Sequence, residues 1–203
     1  MKDTFVASIR SARWMALAGV VALSGCAPSY TLVPPAPIGV ARNTIHATPG
    51  TAWNKAPRTP LDTAWEEHWT QNGLLLDQIT FFGGVPEGQA IAKQRPKAAR
   101  QVPVFRATMS PDDLVAMLDS YYRVTVGATV FDTKAVVPVT FVGRPALQID
   151  FVFVAGDELR RRGRAIVAID KGRLYLMALS ASDIHYFDAA LPEYTKIAAA
   201  ARD

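Results

Sequence analysis

The chain has 203 residues, of which half are hydrophobic and a fifth are charged. This length suits one domain with a terminal segment, and the composition is that of a globular protein, which excludes a largely disordered chain. Residues 1–25 contribute two of the four net positive charges, and the remaining 19 basic and 17 acidic side chains do not form the concentrated basic stripe typical of nucleic-acid-binding proteins.

The amino terminus has the pattern of a secretory signal. Residues 1–13 carry two spaced arginines, Arg10 and Arg13, and the uncharged run WMALAGVVAL follows at 14–23. A basic stretch followed by an apolar one is the order of a signal peptide. The apolar run is shorter than the ~20 residues that a membrane-spanning helix needs. We therefore predict a signal peptide over residues 1–25.

The only cysteine lies three residues after the end of this run. Leu23-Ser24-Gly25-Cys26 resembles the lipobox of bacterial lipoproteins. The resemblance implies that the thiol of Cys26 receives a diacylglycerol and that signal peptidase II then cuts just before it. Ala27, in place of the aspartate that retains enteric lipoproteins in the inner membrane, favours the outer membrane, with the domain facing the periplasm. The alternatives are an ordinary signal peptide with a chance cysteine, or a buried core cysteine.

A proline-rich stretch follows the cysteine. Seven of the fourteen prolines lie between residues 28 and 60. Proline prevents helix and discourages a central strand. We predict an extended, solvated tether over residues 26–50 and a single folded domain over residues 51–203.

The first part of this domain has the pattern of a hairpin. Two apolar stretches flank Asn72-Gly73, and Asn-Gly favours a tight type I′ turn because both residues accept positive φ. This predicts paired strands near residues 65–70 and 74–82. Residues 83–104 have no sustained periodicity and contain three prolines, so they are predicted to form a long loop.

The second part alternates clear helix and strand patterns. Ser110-Pro111-Asp112-Asp113 supplies a helix cap, and apolar residues at helical spacing predict a helix over 111–122. Four stretches rich in Val, Ile and Phe follow as predicted strands at 123–131, 135–142, 146–155 and 164–170. RLYLMALSA from Arg173 predicts a central strand covered on both faces, and a final helix is predicted from about 186 to 201. The pattern indicates an α+β fold with an antiparallel sheet of about six strands packed by two or more helices.

The closing segment, DKGRLYLMALSASDIHYFDAALPEYTKIAAAA over residues 170–201, resembles the last strand and helix of the PsbP family. That family comprises the extrinsic proteins of photosystem II and their bacterial homologues. The resemblance implies an antiparallel sheet between helices, used for binding and assembly and without a common catalytic centre. The lipobox and the proline-rich stretch depart from the plant members, so a photosynthetic role does not follow.

Few residues have a pattern that indicates chemistry. Glu66, Glu67 and His68 form an acidic and basic cluster, in which Glu66 and His68 share one face of a strand. Polar side chains on a half-exposed strand explain this cluster without a metal, which would call for a further spaced ligand. Ser182, Asp183 and His185 have the residue types of a hydrolase triad but are nearly consecutive. We therefore expect no catalytic residues, no metal and no cofactor.

Basic residues offer a candidate contact surface. Arg160, Arg161, Arg162 and Arg164 lie in a predicted hairpin turn after two acidic residues, and could contact anionic lipid headgroups or an acidic partner. A solvated turn balanced by the acids is the other interpretation. Lys93, Arg95, Lys97 and Arg100 form a second basic patch in the predicted loop, with the same two interpretations.

These patterns lead to one functional hypothesis and two alternatives. We expect a lipoprotein of the cell envelope, anchored through lipid on Cys26, that acts as a non-enzymatic binding or assembly module. Its partner would be an envelope protein or a cell-wall component, met by a sheet face or by the 83–104 loop. The alternatives are an envelope hydrolase or metal-dependent enzyme, and a structural lipoprotein that binds the cell wall.

Overall fold

The computed structural model describes residues 29–93 and 101–203. The strands are β1 (Thr31–Val33), β2 (Ile38–Val40), β3 (Ile45–Ala47), β4 (Trp53–Lys55), β5 (Glu66–Thr70), β6 (Asp77–Pro86), β7 (Val130–Phe141), β8 (Arg144–Val154), β9 (Arg160–Asp170) and β10 (Arg173–Ser182). The helices are α1 (Pro111–Thr125) and α2 (Tyr186–Ala200). No helix in these residues is long and apolar enough to span a membrane.

Eight of these strands form one antiparallel sheet in the order β1-β4-β5-β6-β10-β9-β8-β7. Helix α1 packs on one face, and helix α2 with the β2-β3 hairpin packs on the other. Strand β10 supplies Leu174 and Leu176 to the core between the sheet and α1, and Met177 and Leu179 to the core between the sheet and α2. The α+β class and a β10 covered on both faces are confirmed, whereas the sheet has eight described strands rather than about six.

The predicted tether is wrong for most of its length. Within residues 26–50, strand β1 begins at Thr31 and β2 and β3 follow it. Val33, Val40 and Ile45 are buried in the core. The prolines did not prevent this segment from folding, because each of its short strands directs at least one apolar side chain into the core. The folded domain therefore starts about twenty residues before the predicted position of 51. Cys26 and the predicted signal peptide lie outside the described residues.

The first hairpin exists, but its turn differs from the predicted one. Strands β5 and β6 pair antiparallel, with Glu66 opposite Phe82. Six residues connect the two strands. The Asp77 carboxylate accepts hydrogen bonds from the backbone N–H groups of Gln71 and Asn72 and from the Thr70 hydroxyl. This carboxylate organises a wider loop than an Asn-Gly type I′ turn would make.

The predicted 83–104 loop is partly regular. Strand β6 continues through Gly83 and Gly84 to Pro86, and Ala90 bridges to Val104. Residues 94–100, with the basic residues Arg95, Lys97 and Arg100, lie outside the described residues.

Helix α1 begins where the capping residues predict. Ser110 and Asp113 form a reciprocal capping box, and the helix continues to Thr125, three residues past the predicted end. The predicted strand over 123–131 is therefore wrong. Strand β7 starts at Val130 and passes through Asp132 without a break, with a bulge between Thr133 and Ala135.

Candidate functional site

The strongest candidate site lies where strand β4 separates from β5. After Lys55 the chain leaves the sheet, loops through residues 56–65 and returns as β5. Three side chains meet here, one from the loop and two from β5. They are Asp62, Glu66 and His68, with one potential ligand atom from each within 4.8 Å of the others. We call these three residues the polar cluster.

Glu66 is the most constrained member of the cluster. Its side chain is buried, Tyr121 of α1 donates its hydroxyl to Oε1 at 2.9 Å, and the Thr63 backbone N–H donates to Oε2 at 3.0 Å. The Nε2 atom of His68 lies 3.1 Å from Oε1. Burial, together with the neighbouring Glu66 charge, raises the pKa of Tyr121 well above its usual value near 10.0. This carboxylate thus joins the loop, the sheet and helix α1.

His68 and Asp62 complete the network. The Nδ1 atom of His68 lies 2.9 Å from Gln78 Nε2 and 3.1 Å from Thr80 Oγ1, while Asp62 Oδ1 lies 3.9 Å from His68 Nε2. Asp62 also accepts two hydrogen bonds from Thr59, at 2.7 and 2.6 Å. The Gln78 amide nitrogen thus lies against Nδ1, while Nε2 faces the Glu66 carboxylate. Each ionisable member of the cluster therefore has an internal partner.

Glu67 points to the opposite face, as the strand period predicts. It accepts hydrogen bonds from the backbone N–H of Ala41 at 3.2 Å and from Trp69 Nε1 at 2.9 Å, and it pairs with Lys55 at 2.9 Å. The prediction of a half-exposed strand is wrong, because Glu66 and Glu67 are only 7% and 8% exposed. The loop 56–65 and helix α1 cover Glu66, and the 41–44 turn covers Glu67.

That turn holds three consecutive residues in the left-handed region. The φ values of Ala41, Arg42 and Asn43 are 47°, 66° and 62°. Asparagine tolerates this region, whereas alanine and arginine each cost about 1–2 kcal/mol there. Close packing on Gly83 of β6 holds the turn, since a Cβ atom at that position would lie 1.9 Å from Thr44 Oγ1.

The strained turn places Arg42 beside the polar cluster. The Arg42 guanidinium lies 4.9 Å from the centre of the Trp65 ring. A cavity of about 120 Å³ lies here, with Arg42, Lys55 and Arg58 around the polar cluster and Glu67. The Arg58 guanidinium donates to the Thr63 carbonyl at 2.6 Å. Among the described residues neither Arg42 nor Arg58 forms an ion pair. We call Arg42, Lys55 and Arg58 the basic rim.

The polar cluster also lines a second, more apolar cavity. It has a volume of about 260 Å³ and lies between the 56–65 loop, the end of α1 and Leu74. Its walls are largely aliphatic and also include the positively charged Lys93. The aliphatic residues are Pro57, Leu61, Leu74, Val124 and Val126. Apolar walls around a few polar groups are typical of a small-molecule or peptide-binding cleft.

The four predicted contact arginines lie elsewhere, at the start of β9, and each faces an aspartate. The pairs are Arg160–Asp183 at 2.9 Å, Arg161–Asp157 at 2.7 Å, Arg162–Asp188 at 2.9 Å and Arg164–Asp150 at 2.6 Å. Hydrogen bonds from Arg161 hold the pKa of Asp157 well below its usual range. Because each positive charge has a carboxylate partner, this group offers an anionic surface little net charge.

The remaining histidines do not join the cluster. Asp183 pairs with Arg160 and Arg162, and the exposed His185 is the first residue before α2, so these residues form no triad with Ser182. His46 is exposed on β3, where its backbone pairs with Arg202. It thus has a fixed position, contrary to the tether prediction.

Sequence reasoning identified Glu66 and His68 as a pair but missed their partners. Asp62 and Tyr121 lie in a loop and a helix with no pattern that links them to β5. The alternation Gln78-x-Thr80 on the neighbouring strand is the one signal that could have indicated a continuous polar strip.

Comparisons with known proteins show similarity in fold alone. No protein-family model and no curated protein sequence matches the chain. The solution structure of cyanobacterial PsbP (CyanoP) from Synechocystis sp. PCC 6803 matches with a TM-score of 0.54 and 10% identity, over 89% of this chain and 98% of that one. LpqN, involved in cell envelope biogenesis of Mycobacterium tuberculosis, aligns with a TM-score of 0.33 and 10% identity, over 88% and 86% of the two chains. The described domain therefore has a PsbP-like fold.

Proposed function

We propose that this protein is a lipid-anchored binding module of the cell envelope, attached through Cys26, and that the apolar cavity beside the polar cluster is its binding site. One observation supports binding over catalysis. The carboxylates and the imidazole of the polar cluster have internal hydrogen-bond partners, whereas the aliphatic walls of the cavity face the solvent. A partner would gain contact area there without displacing these bonds.

The anchor is tested by replacing Cys26 with serine and fractionating the cells. The parent protein should sediment with membranes and carry acyl chains on Cys26 in its mass spectrum, because two or more chains hold a protein stably. The Cys26→Ser variant should lose the acyl mass and leave the membrane fraction. A variant that still sediments and is cleaved at the same place would overturn the anchor.

The binding site is tested by photo-crosslinking in the native envelope. A photoreactive residue at Leu61 or Val126, on the cavity wall, should capture a discrete partner. The same residue at Val137 of β7 is the matched control, since it is a comparably exposed aliphatic position on the opposite edge strand. Equal capture from all three positions would remove the cavity as the binding site. Purified peptidoglycan in a pull-down separates a cell-wall partner from a protein.

A metal-dependent enzyme is the second candidate, and the convergence of Asp62, Glu66 and His68 favours it. One imidazole and two carboxylates suit zinc or manganese. Titration with each metal, in the parent protein and in His68→Gln, separates the two proposals. Tight binding that His68→Gln abolishes would support the metal site.

A further inference from the structure

The start of the folded domain limits its distance from the anchor. The chain enters the sheet at Thr31, five residues after Cys26. Even fully extended, five residues span at most about 18 Å. A Cys26 held at a bilayer surface would therefore keep the amino-terminal end of β1 close to that surface, which a 24-residue tether would not have done.

The residues at this end suit a membrane surface. Strand β1 is an edge strand, and Tyr30 and Leu32 are 49% and 67% exposed. Exposed aromatic and aliphatic side chains of this kind can enter the boundary between headgroups and acyl chains.

The basic rim lies beside the same end. Thr31 is paired with Lys55, which shares the smaller cavity with Arg42 and Arg58. Lys55 already pairs with Glu67 at 2.9 Å, whereas Arg42 and Arg58 have uncharged partners in Trp65 and the Thr63 carbonyl. The same cavity contains the carboxylates of Asp62, Glu66 and Glu67, which already interact with Thr59, Tyr121 and Lys55. Arg42 and Arg58 have no carboxylate partner among the described residues, and such guanidinium groups can bind a phosphate through charge-assisted hydrogen bonds.

The strained turn gives Arg42 its position. Ala41, Arg42 and Asn43 keep the left-handed conformation because Gly83 allows close packing and the Glu67 carboxylate accepts the Ala41 N–H. Strain that the surrounding structure maintains is common at binding sites.

We propose that the β1 edge lies against the bilayer and that Arg42 and Arg58, with Lys55 beside them, bind the phosphate groups of anionic phospholipids. This inference rests on the proposed anchor at Cys26. It orients the molecule, since β7 at the other edge of the sheet is seven strand spacings of about 4.8 Å away. The β7 edge, and the apolar cavity beyond the 56–65 loop, then remain accessible to partners.

Fluorescence quenching in reconstituted vesicles tests this orientation. Acylation blocks the sole native thiol, so that Leu32→Cys or Val137→Cys provides a unique labelling site in the full lipidated protein. Vesicles contain phosphatidylcholine, with or without phosphatidylglycerol, and a headgroup nitroxide lipid. We expect several-fold stronger quenching at position 32 than at 137, further strengthened by phosphatidylglycerol.

The charge contribution has its own matched pair of variants. Arg42→Gln in the Leu32→Cys background should remove most of the added quenching by phosphatidylglycerol. Lys134→Gln, which removes one charge on the opposite edge strand, should leave that increase unchanged.

The outcomes separate the orientation from the anchor. Equal quenching at positions 32 and 137 in sedimenting, acylated protein overturns the orientation while leaving the anchor intact. Quenching at 32 that is insensitive to phosphatidylglycerol or to Arg42→Gln overturns the role of the basic rim. Protein without acyl mass on Cys26 shows instead that the proposed anchor is wrong.

Discussion

Glu66 shows how one buried carboxylate can hold several parts of a domain together. It accepts hydrogen bonds from α1 and from the 56–65 loop and contacts His68 on its own strand. A buried charge is tolerated only when it is paired and hydrogen-bonded. Removing one partner leaves the others unsatisfied, which costs more than the lost bond itself.

At this scale we predict a measurable coupling between Glu66 and Tyr121. Glu66→Gln should lower the free energy of unfolding by about 1–3 kcal/mol and Tyr121→Phe by about 1 kcal/mol, because each change removes or weakens a buried hydrogen bond to an ionised group. Urea unfolding of both single variants and of the double variant gives their interaction energy, which should be at least about 0.5 kcal/mol.

The matched control for Glu66 is Glu87→Gln, because Glu87 is exposed just after β6. Its effect should stay within about 0.5 kcal/mol. A Glu66→Gln variant as stable as the parent protein would show that this carboxylate is not structural, and would favour the metal-dependent alternative.

At the scale of elements, the β2-β3 hairpin depends on a glycine in a different strand. Gly83 of β6 lies under the 41–44 turn, where a Cβ atom would also come within 2.8 Å of the Ala41 side chain and 2.9 Å of its carbonyl oxygen. Two of these three contacts are with backbone or a fixed methyl group and cannot rotate away.

We therefore predict that Gly83→Ala destabilises the domain by about 1–3 kcal/mol, the usual range for overpacking. Thermal or urea unfolding measures this effect. Gly156→Ala is the matched control, because a Cβ atom there would meet its nearest neighbours at 3.6 Å, an ordinary contact distance.

A further variant isolates the cause. Thr44→Ala combined with Gly83→Ala should recover part of the lost stability, since it removes the nearest clashing atom. A Gly83→Ala protein of parental stability would show that the 41–44 turn can shift at little cost. It would contradict the claim that packing on Gly83 fixes the position of Arg42.

At the scale of the whole molecule, three buried phenols make stability depend on alkaline pH. Burial raises the pKa values of Tyr121, Tyr122 and Tyr194 above the usual value near 10.0. Because the folded-state pKa values exceed those of the unfolded chain, this stability is fully present below about pH 10 and is lost as the pH rises above it.

We predict that the free energy of unfolding falls above about pH 10, by up to about 1.4 kcal/mol per pH unit for each protected phenol. Urea unfolding at a series of alkaline pH values measures the slope. Tyr122→Phe should reduce the slope, because the phenol that it removes is one of the three buried ones. A change in phenol absorbance near pH 10 in the folded protein that Tyr122→Phe diminishes would contradict the prediction.

The predictable part of the fold consists of short-range patterns. Ser110, Pro111 and Asp113 predicted the start of α1, because a capping box satisfies backbone groups within four residues. The alternation of Glu66 and His68 predicted their common face, because strand geometry imposes a period of two. The wide loop before Asp77 was missed, since a side chain five or six residues away from the N–H groups organises it.

Lipid attachment at Cys26 stays a prediction. By itself, the sequence determined the α+β class, the capped helix and the central strand β10. All of these depend on neighbouring residues or on a period of two or 3.6. The tertiary structure alone decided that residues 31–47 belong to the domain, that Tyr121 bonds to Glu66 across 55 positions, and that Gly83 accommodates the Arg42 turn. Contacts between distant segments depend on how the sheet and helices pack, and local patterns do not encode that packing.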